Sequence, residues 1–261
     1  MPALLEFSTC LLLGASVIGQ APAPSATAVQ PAPISRDGRR TISRLPANLL
    51  RGTIGLFSRD GFPPLLIGSG ATGLASLLDD KVRDRIADPE HGFGSSLENI
   101  GDPFYNGVAV AGFFVASRFA DNLKVRSVSY DLLNAFVVNW GYTTALKHIV
   151  HRERPDGSDN ISFPSGHSSN AFTLATVVER HFGWKAGIPA YTFASAVAVS
   201  RLQRNKHWLS DVVGGAALGY VVGRSVVRVN GLPLDPKPSP QVSVVPIVGP
   251  RTRAVSFSLS F

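Results

Sequence analysis

The chain has 261 residues, of which 44% are apolar and 16% charged, with a formal net charge of +7. Soluble domains average roughly 25% charged residues, so the composition indicates either a membrane protein with short spans or a soluble protein with mostly buried helices. The positive charge suits an anionic substrate or an anionic lipid surface. Nucleic acid is excluded as a partner, because no aromatic-basic repeat or DNA-reading motif is present. The single cysteine, Cys10, excludes a disulfide framework.

The chain divides into four regions by composition. An apolar run followed by small residues predicts a secretory signal peptide over 1–21, with an uncleaved N-terminal anchor as the alternative. Residues 22–47 are rich in Pro and Ala, which predicts an extended linker. Residues 48–230 form the predicted helical domain, and residues 231–261 hold a Pro-rich segment and a tail. The signal predicts an exported protein, located in the periplasm or at the inner membrane with its active site on the periplasmic side.

Helical patterns follow one another through the domain with no convincing strand among them. The fold class predicted is all-α, a bundle of about six helices with the active site between them. Breaks at Gly and Pro place the helices at 63–87, 103–120, 126–150, 167–182, 186–201 and 207–228.

The uncharged runs are short for membrane spans. A span needs about 20 apolar residues, whereas the longest runs are Gly61–Leu78, Pro103–Ser117, Leu132–Leu146 and Ala186–Ser200. These lengths favour buried core helices of a soluble or membrane-surface protein, with full spanning as the alternative.

The tail shows a different period. Apolar residues alternate with Ser256, Ser258 and Ser260 up to the terminal Phe261. This period of two predicts an amphipathic β-hairpin at the C-terminus.

Three clusters between Lys147 and Asp211 carry the chemistry. They read K-x6-RP from Lys147 to Pro155, PSGH at 164–167, and SR-x5-H-x3-D from Ser200 to Asp211. Phosphoryl transfer requires cations around the phosphoryl oxygens, a nucleophile and a proton donor for the leaving oxygen. The guanidinium groups of Arg154 and Arg201 match phosphate oxygens, and Lys147 adds a point charge.

The PSGH cluster predicts a loop that enters a helix. A helix N-terminus presents N–H groups and the positive end of its dipole to an anion. Gly166 lets the backbone approach a phosphate, and the Ser165 hydroxyl can donate to it.

Two histidines have different predicted roles. His207 and Asp211 are separated by one helical turn, so the carboxylate can fix the ring tautomer and leave the other nitrogen as a nucleophile. His167, on another helix, is then the candidate general acid for the leaving group.

Each cluster alone has an ordinary structural explanation, such as a helix end, a turn or a surface ion pair. Eleven specified residues in order have a chance probability of roughly 10⁻¹⁴ at about one in twenty per position. No metal is expected, since no H-E-x-x-H pattern or carboxylate cluster accompanies the histidines. The other four histidines are interpreted as structural or exposed: His91, His148, His151 and His181.

At these residues the chain resembles the type 2 phosphatidic acid phosphatase and vanadium haloperoxidase superfamily, whose three-part signature it matches without departure. The resemblance implies a helical bundle, a phosphohistidine at His207 oriented by Asp211, and protonation of the leaving group by His167. It implies phosphate contacts from Lys147, Arg154, Ser165, Gly166 and Arg201. It implies a lipid phosphate, isoprenoid diphosphate or soluble phosphomonoester as substrate.

Three functions are consistent with these residues. The leading one is a metal-independent phosphatase acting on a lipid-linked phosphate, and its variant is a broad-specificity periplasmic acid phosphatase. A vanadium-dependent haloperoxidase would use the same residues to hold vanadate, a phosphate analogue. A non-enzymatic phosphate-binding protein is the third, although the intact nucleophile and acid argue against it.

Overall fold

The computed structural model describes residues 39–90, 102–231, 241–249 and 252–260. This part of the chain begins with a short 3-10 helix, Ile42–Arg44, and continues with eight α-helices and two strands. The elements are α1 (Leu45–Gly55), α2 (Phe62–Ser76), α3 (Asp79–Ile86), α4 (Pro103–Ser117), α5 (Leu123–Val150), α6 (Gly166–Phe182), α7 (Trp184–Gln203), α8 (Leu209–Asn230), β1 (Gln241–Gly249) and β2 (Thr252–Ser260).

Local sequence fixes where several helices begin. The carboxylate of Asp102 accepts from the backbone N–H of Phe104, at 2.8 Å, and so caps α4. The side chain of Asn122 caps α5 in the same way through Lys124 N–H, at 2.9 Å. Proline occupies the first turn of α1, α2 and α4, where its missing N–H costs nothing.

The all-α fold class is confirmed, with two differences in the helices. The predicted helix 63–87 is two helices, because the chain breaks after Ser76 and α3 begins at the buried Asp79. Helix α1 has no counterpart among the predicted helices. It is held by tertiary contacts, since the amide of the fully buried Asn48 donates to the carbonyl of Arg39 and to the hydroxyl of Tyr130.

The apolar core surrounds α8. Its valines Val221, Val222 and Val226 are almost completely buried, and they pack with Val177 of α6 and Val138 of α5. Burial of each such side chain stabilises the fold by roughly 1.5–3 kcal/mol. Because three of these valines lie on α8, this helix is the central element of the bundle.

Helices α6 and α8 approach each other closely through glycines on α8. A Cβ atom on Gly215 would lie 2.6 Å from the carbonyl oxygen of Ser165, and one on Gly219 would lie 2.9 Å from the backbone nitrogen of Thr173. Only residues without a side chain fit these positions, so the glycines set the distance between the two helices.

Chain direction brings the three motifs to one end of the bundle. Helix α5 ends at Val150, just beyond Lys147, whereas α6 and α8 begin at Gly166 and Leu209. Because α5 has 28 residues at about 1.5 Å each, its two ends are about 42 Å apart.

The apolar faces of α2 and α4 are exposed, which contradicts the prediction of mostly buried core helices. Both helices are uncharged, yet their buried residues are only Gly68 and Ala75 on α2, and Val110 and Ser117 on α4. Within the described part of the chain, large apolar side chains are exposed at Phe62, Leu66, Ile67, Leu74, Phe104, Val108, Phe113, Val115, Val137, Trp140, Ile188 and Phe193. The prediction failed because run length does not reveal which neighbours cover a helix.

Among the described helices, Leu209–Asn230 is long and apolar enough to cross a membrane, with 61% of its most apolar window buried inside the bundle. The shorter apolar helix Pro103–Ser117 falls below that length.

The strands β1 and β2 pair antiparallel, from Gln241 opposite Ser260 to Gly249 opposite Thr252, as the hairpin pattern predicts. The predicted signal peptide 1–21 lies outside the described residues. So does the predicted linker up to residue 38, whereas residues 42–47 at its end are helical.

We expect Gly219→Ala to destabilise the fold by about 1–3 kcal/mol, because the new methyl group would force α6 and α8 apart. Gly141→Ala is the matched control, since its Cβ meets no atom within 4 Å in the middle of α5. The control should be neutral or slightly stabilising through helix propensity. Thermal unfolding of both variants under identical conditions measures the difference. Equal unfolding temperatures would contradict the close α6–α8 contact.

Candidate active site

Direct contacts join the three motifs. The Ser165 N–H donates to the backbone carbonyl of Asp211 at 2.9 Å, and the Ser168 hydroxyl donates to that of Val212 at 2.8 Å. The Arg154 guanidinium lies 3.3 Å from Nε2 of His207. The fold therefore brings together residues that are more than 40 positions apart in the sequence.

The surroundings of His207 define its tautomer. The residue is only 4% exposed, and its Nε2 faces Nη1 of Arg154. A guanidinium can only donate, so Nε2 must be the unprotonated nitrogen and Nδ1 must carry the hydrogen. The imidazole thus presents the Nε2 lone pair toward the Arg154 guanidinium, and Nε2 is the ring nitrogen with a lone pair available for a nucleophilic role.

Asp211 lies beside this ring but does not bond to it directly. Its Oδ2 is 3.7 Å from Nδ1 of His207, beyond hydrogen-bond range. The Ser162 hydroxyl bridges the gap, since its Oγ is 2.5 Å from Oδ2 of Asp211 and 3.4 Å from Nδ1 of His207. Ser162 therefore donates to the carboxylate and faces the ring N–H, a role that the sequence analysis did not assign.

The cations of the motifs are held around His207. Arg154 donates to Oδ1 of Asp159 at 2.7 Å and to the carbonyl of Lys206 at 3.0 Å. The ammonium of Lys147 donates to the carbonyl of Ile161 at 2.5 Å. Lys147 is within electrostatic range of Arg154, Arg201 and Asp211, and Arg201 is 6% exposed. A positive potential therefore surrounds Nε2 of His207.

The N-terminus of α6 completes this end of the bundle. Ser165 is its capping residue, fully buried, with the hydroxyl 3.4 Å from the Ser168 N–H. Gly166 is buried, and His167 is partly exposed in the first turn. The helix dipole adds a positive partial charge here, and the partial exposure of His167 suits a proton donor that contacts substrate.

A network behind Asp211 is the main feature that the sequence analysis missed. Arg152 donates from Nη1 to Asp211 at 2.8 Å and from Nη2 to Asp79 at 2.7 Å, so one guanidinium bridges two buried carboxylates. The carboxylate of Asp79 also accepts from the N–H and the hydroxyl of Ser210, at 2.8 and 2.7 Å. Arg152 lies inside the first motif and was therefore detectable, whereas nothing near Asp79 in the sequence links it to this site.

Burial, reinforced by the positive charges of Arg154 and Lys147, lowers the pKa of His207 to about 4, against the opposing effect of Asp211. The Arg154 guanidinium and the Ile161 N–H outweigh the opposing effect of burial and hold the pKa of Asp159 below its usual value. His207 is therefore a neutral imidazole at neutral pH.

The histidines other than His167 and His207 have the positions predicted for them where the structure describes them. His148 and His151 are exposed, and His181 contacts Asp131 at 2.8 Å with little side-chain exposure. His91 lies outside the described residues. Among the residues that the structure describes, no group of three or more His, Cys, Asp or Glu side chains could hold a metal ion.

The chain is similar to known phosphatases over part of its length. A lipid A 1-phosphatase of Porphyromonas gingivalis is 33% identical over 158 residues, which are 57% of this chain and 35% of that protein. A decaprenylphosphoryl-5-phosphoribose phosphatase of Mycobacterium tuberculosis is 31% identical over 106 residues, which are 37% of this chain and 58% of that protein. The matches thus span between a third and three fifths of these relatives.

The crystal structure of Aquifex aeolicus LpxE superposes with a TM-score of 0.47 at 18% identity, covering 58% of this chain and 95% of that one. The family model described as PAP2 superfamily matches residues 129–232, a segment that includes all three motifs. The resemblance stated from the motifs is confirmed, and the segment 129–232 of this chain belongs to the PAP2 superfamily.

Proposed function

We propose that this chain is a metal-independent phosphatase that hydrolyses a lipid-linked phosphomonoester or diphosphate through a phosphohistidine at His207. The observation that carries the proposal is the unprotonated Nε2 of His207, buried and 3.3 Å from the Arg154 guanidinium. A phosphoryl group bound by Arg154 would lie beside this nitrogen. Both curated relatives described above are named phosphatases.

The reaction proceeds in two steps. Nε2 of His207 attacks phosphorus, the P–N bond forms, and the bond to the leaving oxygen breaks as His167 gives that oxygen its proton. Water then attacks phosphorus and gives its proton to His167, the P–N bond breaks, and phosphate leaves. Lys147, Arg154, Arg201 and the α6 N-terminus at Ser165 and Gly166 hold the phosphoryl oxygens in both steps.

The substrate class follows from the surface near the site. The exposed apolar faces of α2 and α4 form a surface of the kind that contacts lipid. The relatives' names specify lipid A and a decaprenyl-linked phosphoribose, both amphiphiles. We therefore infer that the protein is membrane-associated and takes its phosphate ester from a lipid. Phosphatidate and isoprenoid-diphosphate types both fit this class.

We propose that the predicted signal peptide exports the chain, so that the active site works on the periplasmic side.

Phosphate release by the purified full chain in EDTA tests the proposal. We expect short-chain phosphatidic acid to be turned over faster than a soluble aryl phosphate, with His207→Ala inactive on both. Faster turnover of the soluble ester would instead indicate a broad-specificity acid phosphatase. Loss of activity in EDTA, or full activity of His207→Ala, would contradict the mechanism. Peroxide-dependent bromide oxidation after vanadate loading would identify a haloperoxidase.

We expect Asp79→Asn and Arg152→Ala to lower kcat about 10- to 100-fold with little change in KM, because both residues position Asp211 rather than touch substrate. Arg83→Ala is the matched control: Arg83 and Arg152 lie 5.3 Å from the same Trp208 ring, but Arg83 pairs with the exposed Asp84 instead of Asp211. Steady-state kinetics measure kcat and KM separately for each variant. An equal loss in the Arg83 variant would contradict a positioning role.

Because the pKa of His207 is lowered to about 4, we expect phosphatase activity to persist at mildly acidic pH. An imidazole with the ordinary pKa of about 6.5 is roughly 90% protonated at pH 5.5, whereas His207, with a pKa of about 4, stays almost entirely neutral. We therefore expect kcat/KM for the nucleophilic step to fall only as pH approaches 4. The measurement is a kcat/KM profile together with the yield of acid-quenched phosphoenzyme. A half-loss of phosphoenzyme formation near pH 6.5 would contradict the neutral, buried nucleophile.

A further inference from the structure

A second cationic cavity lies at the end of the bundle opposite the active site. It has a volume of about 490 Å³, and it is lined by the cations Arg40, Lys124, Arg180 and Arg228 and by the imidazole of His181. None of them belongs to the three motifs. Between Lys124 at this cavity and Lys147 at the active site, α5 rises about 35 Å.

Asp131 forms the floor of this cluster. Its carboxylate is fully buried and accepts from Arg40 at 2.9 Å, from Asn230 at 2.9 Å and from Nε2 of His181 at 2.8 Å. These bonds fix Arg40 and His181 in place before any ligand arrives. The buried carboxylate of Asp131 therefore holds two lining side chains of the cavity, Arg40 and His181, in fixed positions.

The cavity keeps a positive charge after its ion pairs are counted. Asp131 balances Arg40, and Asp60 balances Arg228. Lys124 donates its hydrogen bond to an uncharged carbonyl, that of His181, at 2.6 Å. Lys124 and the exposed Arg180 therefore contribute two charges that the described carboxylates of this cluster do not balance.

The rim of the cavity is apolar and aromatic. Leu123, which lines the cavity, is 45% exposed, and Phe182 is 53% exposed with its ring centroid 5.3 Å from the Lys124 ammonium. Aromatic side chains beside cations are typical of the membrane interface, where a ring contacts acyl chains and a cation contacts headgroups.

We propose that this cavity binds the phosphate group of an anionic amphiphile at the membrane surface opposite the active site. The inference rests on the membrane association proposed above. The separation of about 35 Å between the two sites slightly exceeds the roughly 30 Å hydrocarbon core of a bilayer, so a bundle that crosses the membrane would hold one site at each surface. Basic pockets between helices are suited to anionic headgroups.

The test compares two double variants of equal net charge. Lys124→Gln with Arg180→Gln removes the two unbalanced charges of the cavity. Lys81→Gln with Lys185→Gln removes two exposed charges that do not line it. Isothermal titration of the detergent-solubilised full chain uses three probes: dihexanoyl phosphatidylglycerol, dihexanoyl phosphatidylcholine and inorganic phosphate. Any binding at the active site is common to both variants and cancels in the comparison.

We expect phosphatidylglycerol to bind the cavity variant roughly tenfold or more weakly than the native chain, with the control variant unchanged and phosphatidylcholine insensitive to either. That result identifies a lipid headgroup as the ligand. The same loss for inorganic phosphate supports the phosphate site with the free anion as its source. Equal binding of phosphatidylglycerol and phosphate by native chain and cavity variant would overturn the proposal.

Activity on a soluble aryl phosphate is expected to be unchanged in both double variants. The binding comparison does not depend on turnover. A chain that releases no phosphate but shows the binding difference would overturn the proposed function alone. A chain that is active but shows no difference would overturn the cavity assignment alone.

Discussion

The bridge that Arg152 makes between Asp79 and Asp211 is the interaction on which the rest of the site depends. Two buried carboxylates cannot stay ionised in an apolar interior without a cation and hydrogen bonds. One guanidinium serves both, at 2.7 and 2.8 Å. Because Asp79 must reach Arg152 and Ser210, the chain turns after Ser76 instead of continuing one helix. The break in the predicted helix 63–87 thus places Asp79 at the start of α3, within reach of Arg152 and Ser210.

Helices α6 and α8 pack closely, and this contact joins the PSGH loop at 164–167 to Asp211. Gly215 allows the Ser165 carbonyl to approach α8, and the Ser165 N–H donates to the Asp211 carbonyl at 2.9 Å. Asp211 therefore holds the PSGH loop with its backbone while its side chain acts on Ser162 and His207. A change in the spacing of the two helices would move Ser165 and Gly166 together with Asp211 and His207.

The sequence was sufficient to predict the motifs and most helix bounds, because these depend on local patterns. The helix predicted at 167–182 is observed at 166–182, and it follows the PSGH loop as predicted, with Ser165 as its cap. Asp79 could not be found, since its role comes from contacts more than 70 residues away. Neither could the Ser162 bridge, which replaces the direct bond expected between Asp211 and His207. Exposure of α2 and α4 likewise depends on the neighbours that tertiary structure provides.

The two ends of the bundle use the same residue types for different purposes. Each has a buried aspartate that engages an arginine and faces a histidine. At Asp131 the ring nitrogen Nε2 of His181 donates a hydrogen bond directly to the carboxylate. That nitrogen is therefore occupied, and the histidine has a structural role. At Asp211 a serine hydroxyl stands between carboxylate and ring, and Nε2 of His207 faces Arg154 instead. The ring nitrogen that faces the carboxylate therefore distinguishes His181, whose Nε2 is bonded to Asp131, from His207, whose Nε2 is the proposed nucleophile.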